Sequence, residues 1–197
     1  MQLQQVLTSD RWEEKANKVL SNFNYKYPDE IDMHDICWAY GVKIRPLEAS
    51  FTEPFVNYDE ISHLKAFSLP FHQARRGIIF LKPELDYIEK KLLLAEEFCH
   101  VYAHHVNQLD VDTILLSKKE SQAKRMAAYL LMPHRFLKEV FNLAMDQAVL
   151  ISEIADYFLV DEEFAHYRLQ LIFNRKIDAI TSLKGQLGFI EWEEMID

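Results

Sequence analysis

The chain has little of what interrupts packed structure: 4 glycines and 6 prolines in 197 residues leave scant material for linkers. No internal repeat, low-complexity tract or charge run marks a boundary. The sequence therefore reads as a single domain over residues 1–197, with about 1–133 as its core and about 134–197 as a C-terminal helical lobe. Cysteine is scarce as well. Cys37 and Cys99 give no disulfide framework, and thiols inside helical segments suit a reducing compartment. Positive charge is in deficit, with 22 Lys and Arg against 31 Asp and Glu for a net charge of −9, so no basic field is available to hold a nucleic-acid duplex. Long apolar runs are missing too. The first residues, Met1 to Asp10, lack the basic start and apolar core of an export signal, and no later stretch approaches the length of a membrane span. A cytoplasmic location is the expectation. What is present is a 49% apolar, 13% aromatic composition, ample for one core at this length.

The most informative segment runs Leu94-Ala95-Glu96-Glu97-Phe98-Cys99-His100-Val101-Tyr102-Ala103-His104-His105. It matches the zinc-peptidase helix pattern His-Glu-x-x-His, in which two imidazoles one turn apart hold a metal and the intervening Glu activates water, except that Glu96 replaces the first imidazole. At about 100° per residue, Glu96, Glu97, His100 and His104 share one arc, while Leu94, Ala95, Phe98, Val101 and Tyr102 cover most of the rest. Such a helix is expected to be buried. Buried carboxylates cost several kcal/mol unless a cation or hydrogen bonds satisfy them, and a metal ion would do so. The alternative is a polar stripe that simply faces water.

A second motif follows at Glu120-Ser121-Gln122-Ala123-Lys124-Arg125-Met126-Ala127-Ala128-Tyr129-Leu130-Leu131-Met132-Pro133. Ala123, Met126, Ala127, Leu130 and Leu131 recur at helical spacing to make an inward face, and Pro133 marks the helix end. Glu120 reads as a carboxylate at the start of this helix, where a neighbouring helix can deliver a third metal ligand.

On these two motifs the chain resembles the ImmA/IrrE-like metallopeptidases, whose members carry Ala-His-Glu-x-x-His followed by Glu-x-x-Ala-x-x-Phe-Ala-x-x-Leu-Leu-Met-Pro. The resemblance spans roughly Ile78 through Pro133. It implies metal ligands at Glu96, His100 and Glu120 and a general base at Glu97. It implies one divalent ion as cofactor, zinc first; oxygen-rich ligation admits manganese or iron as alternatives, and no other cofactor is expected. It also implies a substrate: a helix-turn-helix transcriptional repressor governing a prophage, a mobile element or a stress response. Glu96, Lys124 and Met126 depart from the usual residues, and Ala-Glu-Glu-x-x-His looks like a recurring variant.

A site with two Glu and one His places about two negative charges beside a divalent ion, so the pKa of bound water falls less than with neutral imidazoles. Oxygen-rich ligation also loosens the preference for zinc. Glu97 has an alternative reading as a surface carboxylate paired with Lys90 or Lys91. His100 and His104 form an imidazole pair of their own, and a site built from them would lack an intervening base. His104 is otherwise a cleft-wall or solvated histidine, His105 a helix-end cap, and Cys99 a small packed residue.

In the flanks, Trp12 to Phe23 and Asp32 to Tyr40 are predicted helices, the second ended by Gly41. Val42 to Leu47 is a predicted short strand, Phe51 to His72 is mixed and turn-prone, and Gly77 to Leu81 is the clearest strand, its edge available to an extended peptide or else buried. The motif helix is expected to begin near Asp86. Two short helices between Leu150 and Leu169, with a turn near Val160 and Asp161, have helix-turn-helix spacing, but Asp161, Glu162 and Glu163 would open the second helix with negative charge. Direct nucleic-acid binding is therefore not expected, and the pair reads as a packing lobe that recognises a protein. The acidic tail from Phe189 docks or frays. The fold class is α+β: a mostly helical single domain with a small sheet beside a zincin-like metal-site helix. Two functions compete, a repressor-cleaving metallopeptidase and a peptidase-fold binding module acting as an antirepressor without cutting.

Overall fold

A computed structural model describes residues 10–71, 76–103, 113–174 and 177–191. The chain is α+β and divides into two compact units, one formed by Asp32–Ala127 and the other by the described residues through Ile31 and from Ala128 on.

In the first unit, helix α2 (Met33–Ala39) starts where Asp32 accepts a hydrogen bond from the His34 amide at 2.7 Å. It ends at Gly41, whose φ of +68° is cheap only without a side chain. Strand β1 (Val42–Pro46) follows, then the short helices α3 (Ala49–Thr52) and α4 (Tyr58–Ile61), then strands β2 (Ala66–Pro70) and β3 (Gly77–Leu81). The sheet order is β1-β3-β2, with β3 parallel to β1 and antiparallel to β2. The segment 51–72 thus hides a strand, β2, that its mixed composition does not announce. Because β3 is central and both its edges are paired, it offers no edge to a peptide; the expectation of a peptide pairing there gives way to the buried alternative.

Strand alternation sorts the sheet's two faces. Phe67 and Leu69 from β2 join Ile78 and Phe80 from β3 in a cluster with Leu47 and Ile61. The opposite face, carrying Ser68 and Ile79 side by side, turns to helix α5 (Tyr87–Ala103), which packs most extensively on β2. Asp86 opens α5 by accepting from the Glu89 amide at 2.9 Å. Aromatic rings of Phe98 and Tyr102 on α5 meet Tyr40 edge-on, both at 5.4 Å between centroids, which ties α5 to the end of α2.

Gly77 is the tightest point of this sheet. A Cβ there would collide with the Leu69 carbonyl oxygen, a backbone atom that cannot swing aside. Gly77→Ala is therefore expected to destabilise the protein by about 2 kcal/mol, the usual scale of overpacking, read as a lower urea midpoint. An unchanged midpoint would mean that β2 and β3 separate there at no cost.

Helix α6 (Thr113–Leu131) leads into the second unit, and its Ala123, Met126, Ala127, Leu130 and Leu131 are all buried. It begins well before Glu120, which sits two turns inside the helix rather than at its start. Beyond Pro133 come α7 (His134–Leu143), the short strand β4 (Val149–Leu150), and α8 (Ile151–Phe158). Helix α9 (Glu162–Phe173) is capped by Asp161, which accepts from the Phe164 amide at 2.7 Å. In the same unit Asp10 caps α1 (Arg11–Leu20) and also accepts from the Tyr129 hydroxyl at 3.1 Å. Arg168, buried in α9, donates to the Met132 carbonyl at 2.9 Å and so satisfies the backbone where Pro133 breaks the helix. This part of the chain is not wholly helical. Strands β5 (Ala179–Leu183) and β6 (Gln186–Ile190) form a hairpin around Lys184 and Gly185, both at positive φ, and complete a second three-stranded sheet with β4.

Cys37 and Cys99 are free and buried, and burial pushes the Cys37 thiol up to about 12. Cys99 is a packed core residue. Among the described residues no helix is long and apolar enough to cross a membrane.

Candidate active site

The site lies within the unit Asp32–Ala127. Helix α5 sets Glu97 and His100 on the side turned inward: both are buried, at 8% and 4% exposure. Glu97 is therefore not the surface carboxylate of the alternative reading. From α6, Glu120 reaches His100, with Oε2 and Nε2 3.1 Å apart. Its own side chain is half exposed, so the contact has one dry and one wet partner.

Glu97 is the anomaly. Its Oε2 is buried without a hydrogen-bond partner, which for a carboxylate oxygen is costly. Burial pushes its pKa up, as do the charges of Glu120 and Glu96, against the opposing influence of His100 and Ser68. For His100, burial alone would lower the pKa, but the Glu120 hydrogen bond and the charges of Glu97, Glu120 and Glu96 together raise it. Three carboxylates thus act on one imidazole. Such a concentration of negative charge favours a cation electrostatically, and oxygen and imidazole donors are of the kind that suit a divalent ion.

Two ligand atoms held at about 2.1 Å in tetrahedral arrangement stand about 3.4 Å apart, close to the separation of His100 and Glu120. Glu96, one turn before His100 on the same side of α5, is near enough for its charge to be felt by His100 and by Glu97. Among the described residues no group of three His, Cys, Asp or Glu side chains stands ready to hold an ion. The donors and the unpartnered Glu97 oxygen fit a metal; the third donor is not gathered onto the pair. His104 and His105 lie outside the described residues.

Ser68 is a residue that the sequence did not disclose. Buried on β2 and facing α5, it stands by the Glu97 carboxyl and favours its ionised form, although neither its hydroxyl nor Glu97 Oε2 completes a hydrogen bond of good geometry. Only recognition of Phe67-Ser68-Leu69 as strand alternation would have placed it there.

The chain matches the IrrE N-terminal-like domain, a peptidase family, over residues 51–170. It belongs to that family. The match covers the sheet from α3 onward, both motif helices, and α7 and α8 into α9, so this IrrE-like domain takes in both Glu97 and Glu120. No curated protein matches the chain.

Proposed function

We propose that this IrrE-like chain is a metal-dependent, site-specific endopeptidase whose substrate is a helix-turn-helix transcriptional repressor. The observation that carries the reading is the pairing of His100 with Glu120 beside a buried, unpartnered Glu97. Glu96, His100 and Glu120 would hold the ion, zinc first, with manganese or iron as alternatives. When bound, the ion supplies Lewis acidity to the scissile carbonyl and to water. Glu97 takes a proton from the attacking water and returns it to the leaving amide nitrogen, a task suited to a carboxylate whose pKa burial raises above its ordinary value. Ser68 stands beside that carboxylate and favours its ionised form.

The outer edge of β2 is the sheet edge beside Glu97, and no described strand pairs with it. It is the natural rail for an extended substrate. A repressor is basic where it meets DNA, and the net charge of −9 favours its approach. Cleavage would release the promoters the repressor holds.

A second reading, a binding module that captures the repressor uncut, draws on the absence of a gathered set of three ligands among the described residues. Co-expression with a small helix-turn-helix repressor, any encoded beside this gene being the first choice, separates the two. Peptidase action predicts two discrete fragments whose junction mass spectrometry locates, lost on chelation. A repressor recovered intact in stable complex with the metal-loaded chain would overturn the enzyme and establish the module.

A further inference from the structure

Along the far edge of the first sheet, away from Glu97, a groove of about 560 Å³ follows β1 from Gly41 to Arg45 and is bordered by His34, Asp35 and Trp38 of α2. Three features there are not accounted for by packing among the described residues. Trp38 is 84% exposed, more than any other large apolar side chain among the described residues. An indole left in water forgoes the large burial that makes Trp useful in cores and interfaces. The outer edge of β1 has no described strand against it, so among the described residues its outward backbone donors and acceptors have no ladder partner. Lys43 and Arg45, two apart on the strand and both exposed, project to one side of it, and no carboxylate among the described residues engages either.

Cations on an edge strand commonly serve to repel a neighbouring copy. That purpose accounts for Lys43 and Arg45 but not for Trp38. A protective edge gains nothing from an exposed indole beside it, whereas a docking edge gains an anchor. In a chain with nine more acidic than basic residues, a local basic stripe also selects its partner by sign. Asp35 contributes one opposing charge on the α2 side, so the excess positive charge lies along β1 itself.

We propose that the free edge of β1 docks an extended acidic segment of a partner protein, added to the sheet as a further strand. Main-chain hydrogen bonds to β1 hold the segment, its carboxylates lie against Lys43 and Arg45, and an apolar residue covers Trp38. The site is separate from the Glu97 centre and does not depend on peptidase activity.

The test uses the full chain and two labelled peptides of about ten residues, enough for a strand and its flanks, one alternating Glu with Val and the other Lys with Val. The Glu peptide is expected to bind saturably, more weakly at high salt, and to change tryptophan emission; the emission change should vanish in Trp38→Phe. Lys43→Glu with Arg45→Glu should weaken the Glu peptide by about tenfold or more and turn the preference toward the Lys peptide. All three substitutions are at exposed positions, so far-UV circular dichroism should match the wild type. Equal binding of the two peptides, no binding of either, or charge reversal without effect would overturn the proposal.

Discussion

Glu97→Gln is expected to lower peptide cleavage by about a hundred- to ten-thousand-fold, the range supplied by a positioned general base, while leaving metal content unchanged. The argument rests on burial. Gln keeps the shape of the side chain and can stay near Ser68, but it cannot accept the proton of an attacking water. A loss of activity caused by unfolding would look different, because removing a buried carboxylate with an unpartnered oxygen should leave stability equal or raise it. The pH dependence carries a further sign. The folded pKa of Glu97 is raised, so the metal-free folded state holds this proton after the unfolded state has released it, and stability drains as pH climbs from about 4.5 toward the folded value. That drain should be absent in Glu97→Gln. Cleavage persisting in Glu97→Gln would end the assigned mechanism, and a difference in pH slope between wild type and Glu97→Gln of the opposite sign would show that Glu97 is not buried as described.

How far the site was legible in the sequence follows from the kind of signal each residue carries. Glu97, His100 and the buried character of α5 are readable because helical periodicity is local: apolar residues around a narrow polar arc can be counted without knowing the partners. The inward residues of α6 were readable for the same reason, and Asp161 could be recognised as a cap from its place before the acidic pair Glu162 and Glu163. Strand β2 was not, since Ala66-Phe67-Ser68-Leu69-Pro70 is five residues long and ends in proline, and its stability comes from pairing with β3 and packing on α5, contacts that sequence spacing does not encode. Ser68 was lost with it. The second sheet escaped for a related reason. Lys184-Gly185 is a usable two-residue hairpin turn, but the flanking segments, Ala-Ile-Thr-Ser-Leu and Gln-Leu-Gly-Phe-Ile, alternate too weakly to declare themselves, and β4 is only two residues long. The meeting of Glu120 with His100 is tertiary, and only the order of the motifs anticipated it.

The ligand positions are separable by substitution, and this is where the Glu-for-His exchange can be judged. His100→Ala and Glu120→Ala should each reduce bound divalent ion from near-stoichiometric to near zero, measured by plasma emission on dialysed protein, because either change removes one of two donors already 3.1 Å apart. Their effects on the fold should differ. Glu120 is half exposed and its loss should barely alter the thermal midpoint, whereas His100 is buried and Ala there leaves a void of about 1–3 kcal/mol. Glu96→His restores the two-imidazole pattern and removes one of three carboxylates acting on this centre. Zinc affinity should rise by about tenfold or more, the scale on which ligand type shifts metal binding, and the optimum of any cleavage should move to lower pH as the site becomes less negative and bound water more acidic. If Glu96 were only a neighbouring surface charge, the exchange would leave both the affinity and the pH profile of cleavage where they stand in the wild type. In that case the ion would be held by His100 and Glu120 with a ligand from elsewhere, and the kinship of this helix to the two-imidazole pattern would be one of shape rather than of coordination.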